Sequence, residues 1–389
     1  MTLASLAAPA PADLLAGYRP GAPFFFASPR GTLLTDGTYF AVPRSVRTDA
    51  LSDLPRRVRA VLDLARAAGH DDPLVVGAVP FDPSAQARLC VPDRVWRAGR
   101  LPDDLPAAPA PAVGAVRVTP VPSPSAYADA VRRAVERMRA GEFAKVVLAR
   151  TLALTADTAV DAGALVRRLA ARDPGGHTYA ADLGDGRTLV GASPELLVSR
   201  RGRTVIANPL AGSTPRSPDP VEDRRRAEAL VASAKDRREH LLVVDAVAAA
   251  LRPFCVSLDV PATPQPVATA SMWHLSTVVT GEVAGPEVSA LDLACALHPT
   301  PAVCGSPTAA ARSLIAESEA FDRGFYTGMV GWGDAAGDGE WVVTIRCAVA
   351  EGRGLRLYAG AGVVAESDPE AELAETSAKF RTLLDGLGL

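Results

Sequence analysis

The 389-residue chain is poor in aromatic residues (5%), contains only 4 methionines, and lacks a run approaching eighteen uninterrupted apolar residues. The missing apolar run argues against a helix crossing a bilayer. Five cysteines, Cys90, Cys255, Cys295, Cys304 and Cys347, are scattered and never form a CxxC pair. That pattern predicts reduced thiols in a cytoplasmic protein rather than a disulfide framework or a zinc site. Charge of one sign is also lacking: 41 basic against 44 acidic residues leave a net charge of -3. A balance so near neutral gives no broad basic field for nucleic acid or an anionic membrane, though it allows a local basic pocket. No GxGxxG or GxxxxGK[ST] stretch occurs, so no phosphate-cradling loop is indicated. The opening MTLASLAAPAPADLLAGYRP has no basic region and is broken by proline, and reads as no signal peptide.

What is present is a globular pattern. FFFASPRGTLLTDGTYFAV reads as two or three strands, 51–68 as an amphipathic helix, and PLVVGAVPFD as a strand. Residues 101–116, rich in Pro and Ala without periodicity, form the best linker or surface crossing. Tyr127, Val131, Val135 and Met138 predict a helix over 123–141, closed by Gly141. Strands follow in AKVVLARTLALTA and from HTYAADLG to NPLAG, then one charged helix over about 220–251. VATASMWHLSTVVTGEV reads as strand, 288–297 as helix, HPTPAVCGSP as loop, and 308–321 as helix. YTGMVGW and EWVVTIRCAV form a strand pair around the DAAGDG turn, GLRLYAGAGVV is a further strand, and Asp368-Pro369-Glu370 opens a final helix. Hairpin-linked strands with interspersed helices indicate α+β rather than a Rossmann sheet.

Several polar residues stand where apolar ones are expected. Lys145 opens the apolar strand of GEFAKVVLAR, either snorkelling over the strand end or desolvated into a base. Glu195, in GASPELLV, follows a rigid Ser-Pro and precedes buried residues. It is a strand-edge charge or a carboxyl whose raised pKa suits a general acid. Glu239 shares a helical face with Leu242, Val243 and Ala246, and Lys235 four residues earlier offers it a simple ion pair. Glu375 and Lys379 have the same spacing, with Glu372 nearby. Two inward carboxylates from different helices would instead make a hard-oxygen site for Mg²⁺. Arg346 interrupts WVVTIRCAV and requires an anionic partner, from the protein or from a substrate. Gly360 and Gly362 leave backbone open to a ligand. His274 alternates with apolar residues in SMWHLST and is a core histidine or a site residue.

Together these segments resemble the chorismate-utilising enzymes, and most closely the isochorismate synthases of siderophore (2,3-dihydroxybenzoate) pathways. KVVLAR, GASPELLV, ANPLAGS, KDRREH, MWHL, HPTPAVCGSP, YTGMVGW, GEWVVTIRCA, YAGAGVV and ETSAKF occur in the family's order over about 124–382. Residues 1–120 carry no comparable motif. The resemblance implies one domain over 1–389, a sandwich of two large antiparallel-rich sheets with flanking helices and a cleft between them. It implies Lys145 as the base that activates water for attack at C2 of chorismate. Glu195 is then the acid that protonates the departing C4 hydroxyl, and Glu239 and Glu375 are the Mg²⁺ ligands, with Glu372 a possible neighbour. Arg346, with the backbone of Gly360, Ala361 and Gly362, corresponds to the clamp on the pyruvyl carboxylate and Lys379 to a further carboxylate contact. His274, Ala302, Tyr326 and Ile345 match the substrate pocket.

Within the family, Ala211 leaves room for water where aminodeoxychorismate-forming relatives typically carry a lysine nucleophile. Ala302 and Val303 look like the isochorismate-releasing type, where salicylate synthases typically carry Thr at the position of Ala302. The resemblance therefore implies an isomerase forming isochorismate for siderophore or related biosynthesis. Salicylate synthase and a non-catalytic chorismate-binding module are the alternatives. A cytoplasmic monomer without a glutamine amidotransferase subunit is expected.

Overall fold

The computed structural model describes residues 9–389; the first eight residues of the segment read above as lacking a signal peptide lie outside them. Two large sheets dominate, and every strand pairing among the described residues is antiparallel. The ten-stranded sheet runs in the order Gly305–Ser306, Lys145–Ala156, Gly354–Val363, Cys347–Glu351, Arg187–Ser193, His177–Gly184, Phe24–Ser28, Gly31–Asp36, Arg94–Ala98. Val116–Val121 also pairs with Lys145–Ala156. The nine-stranded sheet has Leu196–Arg201, Gly339–Val343, Met329–Asp334 and Leu74–Val79 at its centre. A third, three-stranded sheet joins Leu210–Pro215, Met272–Ser276 and Gln265–Ala268.

The apolar runs are continuous because both faces of each large sheet are covered. Phe24 and Phe26 point into the core between the sheets with Leu74, Val76, Ala78, Leu189, Val330 and Val342. Phe25 and Ala27, one residue out of step, face the other way, onto a cluster with Leu165 and Leu169 of the helix Ala162–Arg172. The same period of two puts Val75 and Val79 on the outer face of the second sheet, under the helices Leu54–Ala67 and Ala290–Leu297. The stretch before residue 120, without a motif of its own, contributes three strands and most of Val116–Val121 to the ten-stranded sheet, and three strands to the nine-stranded one.

Four expectations need correction. The charged helix over 220–251 is two helices, Pro220–Ala232 and Ala234–Leu251, parted at Ser233. Ser233 is extended (φ -64°, ψ 116°) and accepts from the Asp236 amide, so it caps the second helix rather than continuing the first. EWVVTIRCAV is not one strand: it breaks after Val343 and resumes at Cys347, with Arg346 at φ 49° in the gap. VATASMWHLSTVVTGEV divides between the three-stranded and nine-stranded sheets. Two helices, Pro11–Gly17 and Ala162–Arg172, have no sequence reading, although the second buries Ala162, Leu165, Val166 and Leu169 at helical spacing. Residues 101–115 form no regular element, as expected, although Leu101 and Val113 are buried.

Candidate active site

Chain crossings between the large sheets build the site. Leaving the ten-stranded sheet at Ser193, the chain passes through Pro194 and Glu195 and enters the nine-stranded sheet at Leu196. It returns through Thr344, Ile345 and Arg346, between Val343 and Cys347. Both crossings open onto a cleft lined also by Ala211, Ser213, Glu239, Tyr326, Gly360 and Lys379.

Of the residues singled out from the sequence, Glu195, Glu239, His274, Ala302, Tyr326, Ile345, Arg346, Gly360, Gly362, Glu375 and Lys379 all line this cleft. Lys145 lies just behind the lining, fully buried, with Nζ 2.8 Å from Glu239 Oε1. The pair is close enough for strong attraction, yet the amine makes no directed hydrogen bond. Ala361 is wholly buried and does not line the cleft, because its neighbours Gly360 and Gly362 alternate with it along the strand. Neither glycine takes a side chain without displacing a neighbour. A Cβ at Gly362 would stand 2.3 Å from Glu239 Oε1 and 3.1 Å from Lys145 Cε; one at Gly360, 2.7 Å from the Tyr326 hydroxyl.

Glu195 is 3% exposed, and burial raises its carboxyl to about 7 against the pull of Lys145, Lys379 and Arg346. A carboxyl near neutrality can both hold and release a proton at physiological pH. Arg346 is 5% exposed and forms no ion pair among the described residues. Its Nη2 lies 3.3 Å from His274 Nε2. Burial lowers the guanidinium to about 10, and burial together with Arg346 and Lys379 pushes His274 well below its usual range. His274 is therefore neutral, with Nε2 accepting from Arg346 and Nδ1 carrying the proton. Glu375, Glu195 and Asp173 act on the guanidinium without forming an ion pair with it, so its fork stays free for an anion.

The helix Ala234–Leu251 turns Glu239, His240, Val243 and Val247 inward, whereas Leu242, expected on that face, is 37% exposed. Lys235 does not pair with Glu239 but reaches across to Glu372 at 3.1 Å. Burial, and then the nearby Glu375, raises Glu372 to about 7. On the final helix, Pro369–Leu387, Glu375 accepts from Ser213 (2.8 Å) and pairs with Lys379 (2.6 Å). Burial would raise Glu375, but Lys379 and Ser213 hold it below the usual carboxylate value. The expected spacing is there; a solvated surface pair it is not. Lys379 also donates to the Gly360 carbonyl at 2.8 Å.

Glu239 and Glu375 thus bring hard oxygens from two helices to one cleft, and both push the Asp236 carboxyl upward after burial itself. Among the described residues no group of three or more His, Cys, Asp or Glu side chains is arranged to hold a metal. Two carboxylates with the rest of the shell left to water and ligand oxygens nevertheless suit Mg²⁺ and not a metal needing a full protein cage. The donor set fits.

Sequence reasoning passed over Ser213, Thr327, Tyr358 and His240. Tyr358 stacks on Tyr326 with ring centroids 5.1 Å apart, and stood visibly before the glycine pair. His240, lowered to about 4 chiefly by burial, lies with its ring nitrogens 3.2 Å from the Ala211 carbonyl and 2.7 Å from the Thr277 hydroxyl. Nothing local marks Ser213 or Thr327; only the fold brings them to the cleft.

Interlocked sheets and a cleft pairing a buried amine with a near-neutral acid and an unpaired guanidinium define an enzyme for small anionic substrates. A family profile described as "Chorismate binding enzyme" matches residues 91–388, and the chain belongs to that family. It is 53% identical over 382 residues to the isochorismate synthase DhbC of Bacillus subtilis, covering 97% of this chain and 96% of that protein. It is 48% identical over 385 residues to a putative isochorismate synthase MenF of Mycobacterium tuberculosis, covering 96% and 98%. A crystal structure of a putative 2,3-dihydroxybenzoate-specific isochorismate synthase from Bacillus anthracis superposes with a TM-score of 0.93 at 49% identity, covering 97% of this chain and all of that one. The sandwich expected from the resemblance is the fold observed.

Proposed function

We infer that this chain is an isochorismate synthase, an isomerase converting chorismate to isochorismate. The observation that carries this reading is Glu195 and the unpaired Arg346 in one cleft, with Lys145 directly behind its wall, in a chain so similar to enzymes of that name.

Chorismate carries two carboxylates, and the cleft has matching cations in Arg346 and Lys379. Arg346 holds the pyruvyl carboxylate, and Lys379 offers a further carboxylate contact. Lys145, desolvated and undirected in its hydrogen bonding, takes a proton from water as that water attacks C2. The ring double bonds shift, and the C4 hydroxyl leaves as water with the proton of Glu195. One water enters and one departs, so substrate and product are isomers; return of the proton from Lys145 to Glu195 resets the site. Glu239 and Glu375 would hold Mg²⁺, which when bound neutralises the ring carboxylate beside the two glutamates. Ala211, at 7% exposure on the cleft wall, leaves space for the attacking water.

A monomer working without an amidotransferase subunit, in the cytoplasm, completes the proposal. No helix among the described residues is long and apolar enough to cross a membrane, and all five cysteines are free. Siderophore biosynthesis is the favoured destination, supported by the 2,3-dihydroxybenzoate-specific relative.

Incubation with chorismate, with and without Mg²⁺, followed by chromatography and a pyruvate assay, tests the reading. Isochorismate without pyruvate is expected. Salicylate with pyruvate would make the chain a salicylate synthase, and binding without turnover a non-catalytic module.

A further inference from the structure

Behind the cleft lies a buried ion pair that the acid–base chemistry does not use. Glu319 and Arg323 both follow the C-terminal end of the helix Thr308–Ser318, and the side chain of each is 3% exposed. Arg323 donates Nε to Glu319 Oε2 (2.8 Å) and Nη2 to Oε1 (2.5 Å), a planar two-point fork. Its other donors leave the pair: Nη1 reaches the Val303 carbonyl (2.8 Å) and the Thr327 hydroxyl (3.2 Å), and Nη2 the Val147 carbonyl (2.7 Å). Glu319 Oε1 in turn accepts from the Ala149 amide at 2.8 Å. The guanidinium also lies over the Phe81 ring, 4.6 Å from its centroid.

Val147, Val303 and Thr327 come from three separate stretches of chain, and all three line the cleft. Val147 sits two residues beyond Lys145 on the same strand, and Val303 follows Ala302 in the loop after the helix Ala290–Leu297. Thr327 has φ 60°, a conformation a β-branched residue keeps only under constraint. Its constraints are the bond from Arg323, one from its own hydroxyl to the Tyr326 carbonyl (2.5 Å) and one from its own amide to the Thr344 carbonyl (2.8 Å). A buried ion pair adds little net stability over apolar packing. Its distinctive contribution here is geometric, since one rigid fork spans three segments at once.

We propose that Arg323 and Glu319 are positioning residues that fix Val147, Val303 and Thr327, and so hold the substrate ring in line between Lys145 and Glu195. The proposal rests on the cleft being the site of chorismate turnover. Neither residue lines the cleft, and the carboxylate contacts at Arg346 and Lys379 are separate from the pair. Loosening the wall should therefore affect orientation more than binding.

The test uses the full chain with chorismate and Mg²⁺, comparing the parent with Arg323→Lys and Glu319→Gln at a temperature where circular dichroism shows each folded. A parent that forms no isochorismate would refute the functional reading and not the clasp. With an active parent, kcat is expected to fall about tenfold or more in each folded variant, KM to change less than about threefold, and the Mg²⁺ half-saturation to stay within about twofold. Lysine keeps the charge but not the fork, so a folded Arg323→Lys variant with kcat within about twofold of the parent would overturn the proposal. If Arg323→Lys does not fold, Glu319→Gln decides on the same criterion. A lowered melting temperature with unchanged kcat would mean a purely structural pair.

Discussion

Glu195 and Arg346 brace each other's chain crossings. The Glu195 carbonyl accepts from the Val343 amide at 3.1 Å, and the Arg346 carbonyl accepts from the Ala192 amide at 3.1 Å. Each residue sits where the chain leaves one large sheet for the other, and the two crossings lie side by side because the flanking strands pair, Gly191 with Cys347 and Leu196 with Val342. An acid and a cation are thereby fixed at one cleft by main-chain bonds that do not depend on their own side chains.

The raised Glu195 carboxyl sets an upper pH limit. The acid form is needed, so kcat/KM should fall as pH rises through about 7. Stability carries the same signature. An acid whose folded pKa is raised stabilises fully below its unfolded value, near 4.5, and that contribution is lost as pH rises through about 7. Glu195→Gln should remove most turnover while its melting temperature gains on the parent's between pH 5 and pH 8. An unchanged difference across that range would show that Glu195 is not held protonated.

Lys145→Met should abolish most activity, on the order of 100-fold or more for loss of a general base. It should also destabilise the fold by about 3 kcal/mol, because Glu239 is left buried beside an apolar chain. The double variant Lys145→Met/Glu239→Gln should regain much of that stability in denaturant titrations but none of the activity. Recovery of turnover in the double variant would place the base elsewhere.

Arg346→Lys should chiefly raise KM for chorismate. A lysine keeps the charge but cannot grip a carboxylate at two points or keep its contact with His274. Steady-state kinetics showing an unchanged KM with a collapsed kcat would contradict a carboxylate clamp.

Gly362→Ala places a methyl 2.3 Å from Glu239 Oε1. Glu239 must move, so the Mg²⁺ requirement should shift to higher concentration, read from activity against Mg²⁺. The melting temperature should fall as well, since the displaced Oε1 is the atom that pairs with the buried Lys145. A Mg²⁺ response identical to the parent's would separate Glu239 from the metal.

Much of the cleft was legible in the sequence because its groups violate apolar patterns: Lys145, Glu195, Glu239 and Arg346 each stand among buried neighbours. Their surroundings were not. The Arg346 segment reads as one apolar strand because both its halves are strands, and only the sheet order reveals a break between them. The pairing of Lys235 with Glu372, and not with Glu239, depends on how two helices distant in sequence pack. Four-residue spacing alone cannot choose between them. Thr327, Ser213 and Arg323 carry no local signal.

The most direct test of water attack at C2 is turnover of chorismate in H₂¹⁸O, with mass spectrometry of the isochorismate formed at low conversion. Activation of a solvent water by Lys145 and departure of the C4 hydroxyl through Glu195 predict one ¹⁸O per product, located at C2. Unlabelled isochorismate would mean that the original hydroxyl migrates within the cleft, and would contradict the roles given to both residues.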